Sequence, residues 1–233
     1  MIIENEYGDP TKFYNDFYDS VICKAGLGAR SVRATHKGME ASYLKGEFRN
    51  CLELGGGNGE HLNFVKHGFD RYFLLDLRSN NLDPKWTGDP RIQRLVGDAE
   101  DVPFPDKTFD RIIVTCLLHH VNNPEKVFLE INRLLRSGGL ATIFLPCDPG
   151  LLVRFARFLT TARKASRLGF KGYSLMIVRE HRNHIGGLLT MLKFVFRSEK
   201  VSIQWRPFFV RSWNLNAYVI VNVGKKVAEL DRN

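Results

Sequence analysis

Apolar and polar positions alternate along the chain in blocks of two different periods. Residues 51–54 (CLEL), 71–77 (RYFLLDL), 91–96 (RIQRLV) and 109–121 (FDRIIVTCLLHHV) each hold an apolar run of the length of a buried strand. Other stretches have helical spacing. Val127, Phe128, Ile131, Leu134 and Leu135 recur at three- and four-residue steps, Pro124 suits the first turn, and Gly138 and Gly139 are expected to stop the helix. Over residues 150–168 the wheel gathers Leu151, Phe155, Phe158, Leu159, Ala162 and Ala165 on one arc, with Arg157, Arg163, Lys164 and Arg167 opposite. Two later runs, VSIQWRPFFV and NAYVIVNVG, read as a closing pair of strands. Ahead of the first strand, Phe13 with Phe17 and Tyr14 with Tyr18 stand four apart, which predicts a helix; Met39, Tyr43 and Leu44 belong to a second. Strands alternating with helices predict an α/β fold.

The punctuation of the first strand narrows the chemistry. In NCLELGGGNGE, residues 50–60, the apolar run carries Glu53 and breaks into Gly55, Gly56, Gly57 and Gly59; Leu62, Phe64 and Val65 then return at spacings that fit a helix. A strand that ends in glycines and feeds a helix is the first turn of a nucleotide-binding sheet. A dinucleotide fingerprint starting at Gly55 would need its third glycine where Glu60 stands, which disfavours a nicotinamide cofactor. Asp76 closes the second strand 23 positions after Glu53, near the distance at which an acid meets a ribose. A carboxylate there accepts strong, charge-assisted hydrogen bonds from both ribose hydroxyls. The third strand leaves through Gly97, Asp98, Ala99 and Glu100. The fourth ends in Thr115, Cys116, Leu117, Leu118, His119 and His120, at the strand end where open α/β sheets bind ligands.

These segments carry a resemblance. The spacing Glu-x-Gly-x-Gly-x-Gly, Asp76, the G-D-A-E turn followed by VPFPDKTFD, the L-H-H tail and the L-R-S-G-G-L turn resemble the class I S-adenosylmethionine-dependent methyltransferases, in the subfamily that includes the quinone-ring methylases. The resemblance implies a Rossmann-like, seven-stranded, mostly parallel sheet with helices on both faces and a reversed final strand. It also implies S-adenosylmethionine as cofactor. Glu53, Gly55, Gly56, Gly57 and Gly59 would then face its methionine part, Asp76 and Leu77 its ribose, and Asp98, Ala99 and Glu100 its adenine, with Thr115 and Leu117 as further contacts. His119 and His120 would shape the acceptor side, or one would accept a proton; methyl transfer otherwise rests on proximity and orientation. Where the adenine and glutamine-amide methylases carry N-P-P-Y or D-P-P-Y this chain has T-C-L-L, which argues against those acceptors. Residues 1–233 are expected to form one domain, with lid helices over 1–48 and an acceptor-side helical insertion over 147–200. Tyr14 and Tyr18 either pack in the lid or touch cofactor or substrate. In V-R-E-H-R-N-H, residues 178–184, Arg179, His181 and His184 join His120 as acceptor contacts; the H-x-x-H spacing has no further ligand pattern, so no metal is expected. Similar R-E-H-x-N, W-x-P-F and S-W-N-x-N segments occur in bacterial methyltransferases linked to surface polysaccharide, which points to a small-molecule or lipid-linked glycan acceptor.

Charge changes the picture in one region. The 233 residues carry a net charge of +9, yet residues 1–149 hold 18 Lys and Arg against 21 Asp and Glu, and residues 150–233 hold 16 against 4. The basic excess is therefore local: a solvated face, or a surface for an anionic partner. The helix over 150–168 fits peripheral contact with an anionic membrane as well as packing on the sheet. RNA would also suit the charge, but no RNA-binding module is recognisable. A noncatalytic protein that keeps the fold is the rival outside the enzyme class. Four cysteines without a CxxC pair read as reduced thiols, Cys51 and Cys116 buried in their strands. The polar N-terminal stretch is unlike a signal peptide and no apolar run approaches the roughly 18 residues of a membrane span, so the expected location is cytoplasmic.

Overall fold

A computed structural model of the chain describes residues 27–43, 46–78, 82–167 and 172–227. Seven strands form one sheet: β1 (Glu47–Leu54), β2 (Gly68–Asp76), β3 (Ile92–Val96), β4 (Phe109–Val114), β5 (Leu135–Pro146), β6 (Lys200–Arg206) and β7 (Tyr218–Gly224). Their order is β3-β2-β1-β4-β5-β7-β6. The pairs β1·β2, β1·β4, β2·β3 and β4·β5 are parallel, while β7 runs antiparallel to both β5 and β6. This is the Rossmann-like sheet with a reversed final strand that the family resemblance implies. The order reverses direction at β1 and β4, so their carboxyl ends border the crevice where such sheets bind ligands.

Both faces of the sheet are covered. On one, Leu52, Leu54, Ile112, Val114, Ile143 and Val221 meet Val127, Phe128 and Ile131 of helix α2 (Pro124–Leu134) and residues of a later helix. On the other, Cys51, Tyr72, Leu74, Ile113 and Ile220 meet Met39 of helix α1 (Leu27–Glu40) and Leu62. Alternate residues of the central strands go to opposite cores, which is why β1 and β4 read as continuous apolar runs rather than alternating ones.

Between β5 and β6 the chain forms a helical segment. It comprises α3 (Leu151–Arg157), a π-helical turn (Phe158–Ala162), α4 (Arg163–Arg167), α5 (Tyr173–Glu180) and α6 (Ile185–Val195). Among the described residues, no helix is long and apolar enough to cross a membrane.

Four expectations need correction. The helix expected after the glycines is only a 3₁₀ turn, His61–Asn63, because β2 begins at Gly68 and leaves no length for a regular helix. Gly138 and Gly139 do not stop α2, which ends at Leu134 and passes directly into β5. Gly138 takes φ +75°, and a side chain on Gly139 would stand 2.9 Å from the Arg136 carbonyl oxygen, so these glycines serve the shifted register between β4 and β5. The fourth strand ends at Val114, and Cys116 lies beyond it, exposed, at φ +46°. Finally, the apolar arc of residues 151–159 is not packed on the sheet: Leu151, Phe155, Phe158 and Leu159 are exposed. Tyr14 and Tyr18 lie outside the described residues.

Candidate functional site

The glycine turn sits across the carboxyl ends of β1, β2 and β4. The amides of Gly55 and Gly56 both donate to the Leu75 carbonyl, at 2.9 and 3.2 Å. A side chain on Gly56 would stand 2.7 Å from Leu74 Cδ2, and one on Gly55 (φ +74°) would stand 3.2 Å from the Thr115 carbonyl oxygen. Only glycine lets the main chain lie this close to the strand ends. Gly57, at φ +49°, differs: a side chain there would meet no protein atom within 4 Å. The turn therefore presses its inner side onto the sheet and turns bare backbone toward open space.

Asp76 borders that space. Its Oδ2 accepts the Gly57 amide at 3.0 Å and its Oδ1 accepts the Arg78 amide at 2.9 Å. Two carboxylate oxygens have about four acceptor sites, so two remain for a ligand. Leu77 beside it is exposed. At the next strand end Asp98 is exposed, its Oδ1 accepting the Glu100 amide at 2.9 Å, while Ala99 is buried. Glu100 turns the other way, its Oε1 accepting the Asn123 amide at 2.7 Å ahead of α2. Leu117 is half-buried against Gly55.

Glu53 lies deeper than Asp76 and Asp98. Only 1% exposed, its carboxylate accepts from Tyr72 Oη at 2.9 Å and from Thr115 Oγ1 at 3.2 Å. Burial raises its pKa, offset in part by the charge of His61 and by these two hydrogen bonds. Thr115 also reaches the Gly55 carbonyl at 3.5 Å. In this arrangement Glu53 braces the glycine turn from beneath.

At the end of β4 the structure brings together histidines from two distant segments. His119 and His120 follow Leu118, and His181 follows α5; ring centroids are 4.0 Å apart for His119–His120, 4.6 Å for His119–His181 and 5.2 Å for His120–His181. Asn183 holds the two segments in contact. Its side-chain amide donates to the carbonyls of Leu118 at 3.0 Å and Val121 at 2.8 Å, and its backbone amide to that of His119 at 3.2 Å. Asp148, just after β5, accepts from His181 Nδ1 at 2.6 Å and from Arg157 Nη2 and Nη1 at 2.8 and 3.3 Å. Burial alone would raise the Asp148 pKa, but the His181 and Arg157 hydrogen bonds hold it well below the usual carboxylate range. Burial and the neighbouring His120 and His181 push His119 well below an ordinary histidine. Burial and His181 bring His120 down to about 4. Arg179 and His184 are exposed and lie outside this group of three.

A second buried polar group lies behind the glycine turn. Glu40, at the end of α1, accepts from Arg111 Nη2 at 2.7 Å and from His61 Nε2 at 3.0 Å, with His67 Nε2 at 3.5 Å. His61 shares a 2.8 Å hydrogen bond with His36. Arg111 is fully buried in β4; its Nη1 donates to Thr142 Oγ1 at 2.7 Å and its guanidinium lies 4.3 Å from the Tyr43 ring centroid. Neither Glu40 nor Arg111, nor Asp148 at the histidine group, stands out in the sequence, because each acquires its role from partners far along the chain; Asn183 belongs to the R-E-H-x-N segment, but its partners do not show there.

Residues 52–143 match the family model described as Methyltransferase domain. The chain is 29% identical over 142 residues to a 2-methyl-6-phytyl-1,4-hydroquinone methyltransferase of rice (Oryza sativa subsp. japonica), covering 59% of this chain. It spans only 42% of that protein's length. It is 28% identical over 169 residues to the phosphatidylethanolamine N-methyltransferase of Cereibacter sphaeroides, covering 66% of this chain and 83% of that protein. Among solved structures, the 1,6-didemethyltoxoflavin-N1-methyltransferase of Burkholderia thailandensis, bound to 1,6-didemethyltoxoflavin and S-adenosylhomocysteine, superposes with a TM-score of 0.58 at 15% identity, covering 93% of this chain and 87% of that one. The fold is the Rossmann-like methyltransferase fold. Residues 52–143 are thus similar to a methyltransferase domain, and the solved structures share its fold.

Proposed function

We propose that the chain transfers a methyl group from S-adenosylmethionine to an oxygen or nitrogen of a small-molecule or lipid- or glycan-linked acceptor. The observation that carries this reading is the open space beside Gly57, bordered by the half-exposed Asp76 carboxylate. Bare main chain with a carboxylate alongside fits the ribose and methionine parts of that cofactor, and the exposed Asp98 at the next strand end suits its adenine. When bound, the sulfonium supplies an electrophilic methyl group. The protein's part is to hold the acceptor in line with it, which is mainly a matter of position. Thr115, Cys116 and Leu117 leave β4 beside the glycine turn and lead to His119 and His120, so an acceptor held at the histidines adjoins the cofactor space. A neutral imidazole there can accept the proton that an alcohol or amine releases.

A lipid-linked or otherwise amphipathic acceptor is favoured by the surface next to the histidines. Leu151, Phe155, Phe158 and Leu159 are exposed on the helical segment, and Phe208, Phe209, Val210 and Trp213 on the loop that follows β6. The two meet where the Leu152 amide donates to the Asn214 carbonyl at 3.0 Å. Exposed apolar residues in this number, with Arg154, Arg163, Lys164 and Arg167 also exposed nearby, fit peripheral contact with an anionic membrane. The phosphatidylethanolamine methyltransferase relative acts on an acceptor of that chemistry, by its name.

The test is calorimetric titration with S-adenosylmethionine and, separately, NAD, followed by an acceptor screen with tritiated cofactor. Micromolar binding of the first alone, and transfer to a phospholipid or lipid-linked glycan, is expected. Binding without transfer to any acceptor would favour a noncatalytic protein that keeps the fold.

A further inference from the structure

We propose that His119, His120 and His181 form a binding site for a divalent transition metal ion of the zinc class. One ligand nitrogen from each ring can be chosen so that all three lie within 4.8 Å of one another. Nitrogens bound to one tetrahedral ion at about 2.0–2.1 Å would be roughly 3.3 Å apart, so the rings draw together by up to about 1.5 Å when an ion binds.

Three further features distinguish this group from histidines that merely pack together. First, two of the rings carry the far-nitrogen hydrogen bond that metal-ligating histidines carry. His181 donates Nδ1–H to Asp148 at 2.6 Å, and His120 donates Nδ1–H to the Glu180 carbonyl at 2.9 Å, which leaves the Nε2 lone pair of each available. A carboxylate or carbonyl on the far nitrogen fixes tautomer and direction and makes the ligating nitrogen more basic. Second, His119 is 4% exposed and its Nδ1 has no hydrogen-bond partner. A buried polar nitrogen without a partner is costly, and an ion shared with the other two rings would satisfy it. Third, the orienting carboxylate is itself fixed. Asp148 is gripped by Arg157 through both Nη1 and Nη2, and Asn183 ties the His181 segment to the carbonyls on either side of His119 and His120. The site is thus held by residues on four separate parts of the chain.

A set of three nitrogens leaves at least one coordination position open, as in sites that act on a substrate and unlike closed structural ones. At the carboxyl end of β4 that position would suit an oxygen of the acceptor, lowering the pKa of a hydroxyl before methylation; its proton would then leave to solvent, since ligation occupies the imidazole lone pairs that accept it in the metal-free site. This use rests on the methyl-transfer reading; the site itself does not. The sequence spacing of His181 and His184 does not mark the site: His184 is exposed, and the companions of His181 are His119 and His120 from the other segment.

The experiment is titration of the full, chelator-treated chain with cobalt(II), read by visible absorption, with zinc as competitor. One equivalent is expected to give the intense bands of a four- or five-coordinate ion, and zinc is expected to bleach them. His184→Ala is expected to bind as the native chain does, while His120→Gln and His181→Gln lose stoichiometric binding. Asp148→Asn is expected to weaken it about 10- to 100-fold. Circular dichroism and calorimetry with S-adenosylmethionine check that each variant is folded. Absence of stoichiometric cobalt binding, or binding that survives in the His120→Gln/His181→Gln double variant, overturns the proposal. Metal binding without methyl transfer would leave the site standing and remove only its use for the acceptor.

Discussion

At the residue scale the proposed cofactor space is defined by what is missing from Gly57 and what is offered by Asp76. Gly57→Ala adds a methyl group that meets no protein atom, so its cost to stability is only that of holding alanine at φ +49°, about 1–2 kcal/mol. The same methyl group projects into the open space. We expect the thermal midpoint to fall by a few degrees and S-adenosylmethionine affinity to fall at least about tenfold by calorimetry. An unchanged affinity would mean that the cofactor does not lie against this backbone. Asp76→Ala tests the other wall. Hydrogen bonds to a charged acceptor contribute about 1.5–3 kcal/mol each, so its removal should weaken binding by about tenfold or more. These residues are legible in the sequence because their determinants are local. A glycine pattern and an acid at a strand end state their own backbone needs. Glu53 is less legible: its letter marks it as a cofactor contact, but only the fold reveals that Tyr72 and Thr115 enclose its carboxylate.

At the scale of elements, α1 is fastened to the sheet by ionic groups rather than by apolar contact alone. Glu40 lies 71 positions from Arg111, so no sequence pattern announces their pairing; β4 only shows an arginine inside an apolar run. Glu40→Ala leaves the Arg111 guanidinium buried with its charge unpaired, which costs about 3–5 kcal/mol in such settings. Urea unfolding should show that loss, and Glu40→Ala combined with Arg111→Met should recover much of it. The same cluster sets an acid limit. His36 is packed on Phe64, ring centroids 5.1 Å apart, and faces His61 and, beyond it, Glu40. Burial, then the charge of His61, brings its pKa from 6.5 to about 3. The unfolded chain therefore takes up a proton below pH 6.5 that the native protein refuses until about pH 3, and stability falls as pH falls through that window. For one such group the slope is at most about 1.4 kcal/mol per pH unit. Glu40 acts in the same direction lower down. Burial would raise its pKa, but the His61 hydrogen bond and the Arg111 charge bring it to about 2, so its contribution is lost between pH 4.5 and 2. Urea midpoints measured from pH 7 to 5 should decline less steeply in His36→Phe than in the native chain. Equal slopes would show that His36 is not the proton-linked group.

At the scale of the whole molecule, the sheet and the helical segment between β5 and β6 differ in how far the sequence foretells them. The strands themselves follow from apolar runs and turn residues, and their directions from the family resemblance, whereas the wheel of residues 150–168 leaves open which face is covered. A helical arc of Leu and Phe normally packs inward; here Leu151, Phe155 and Phe158 are exposed, while Arg157, on the opposite arc, turns in to Asp148. The ion pair decides the rotation, and it is set by a carboxylate after β5 that the wheel does not contain. This rotation leaves the aromatic residues outward and Arg154, Arg163, Lys164 and Arg167 exposed along the same segment. Such a surface should sediment with vesicles rich in phosphatidylserine and much less with vesicles of phosphatidylcholine alone. Each basic residue near an anionic surface contributes about 1 kcal/mol, so replacing Arg163, Lys164 and Arg167 with Gln should weaken binding by roughly two orders of magnitude at low salt. Raising salt should reproduce much of that loss in the native chain, since the attraction decays within a Debye length of about 10 Å at 0.1 M. Phe155→Ser with Phe209→Ser should weaken binding to both vesicle types and keep the salt dependence, because it removes apolar insertion and leaves the charge. If the native chain binds neither vesicle, the aromatic surface serves another partner and the acceptor must be sought among molecules in solution.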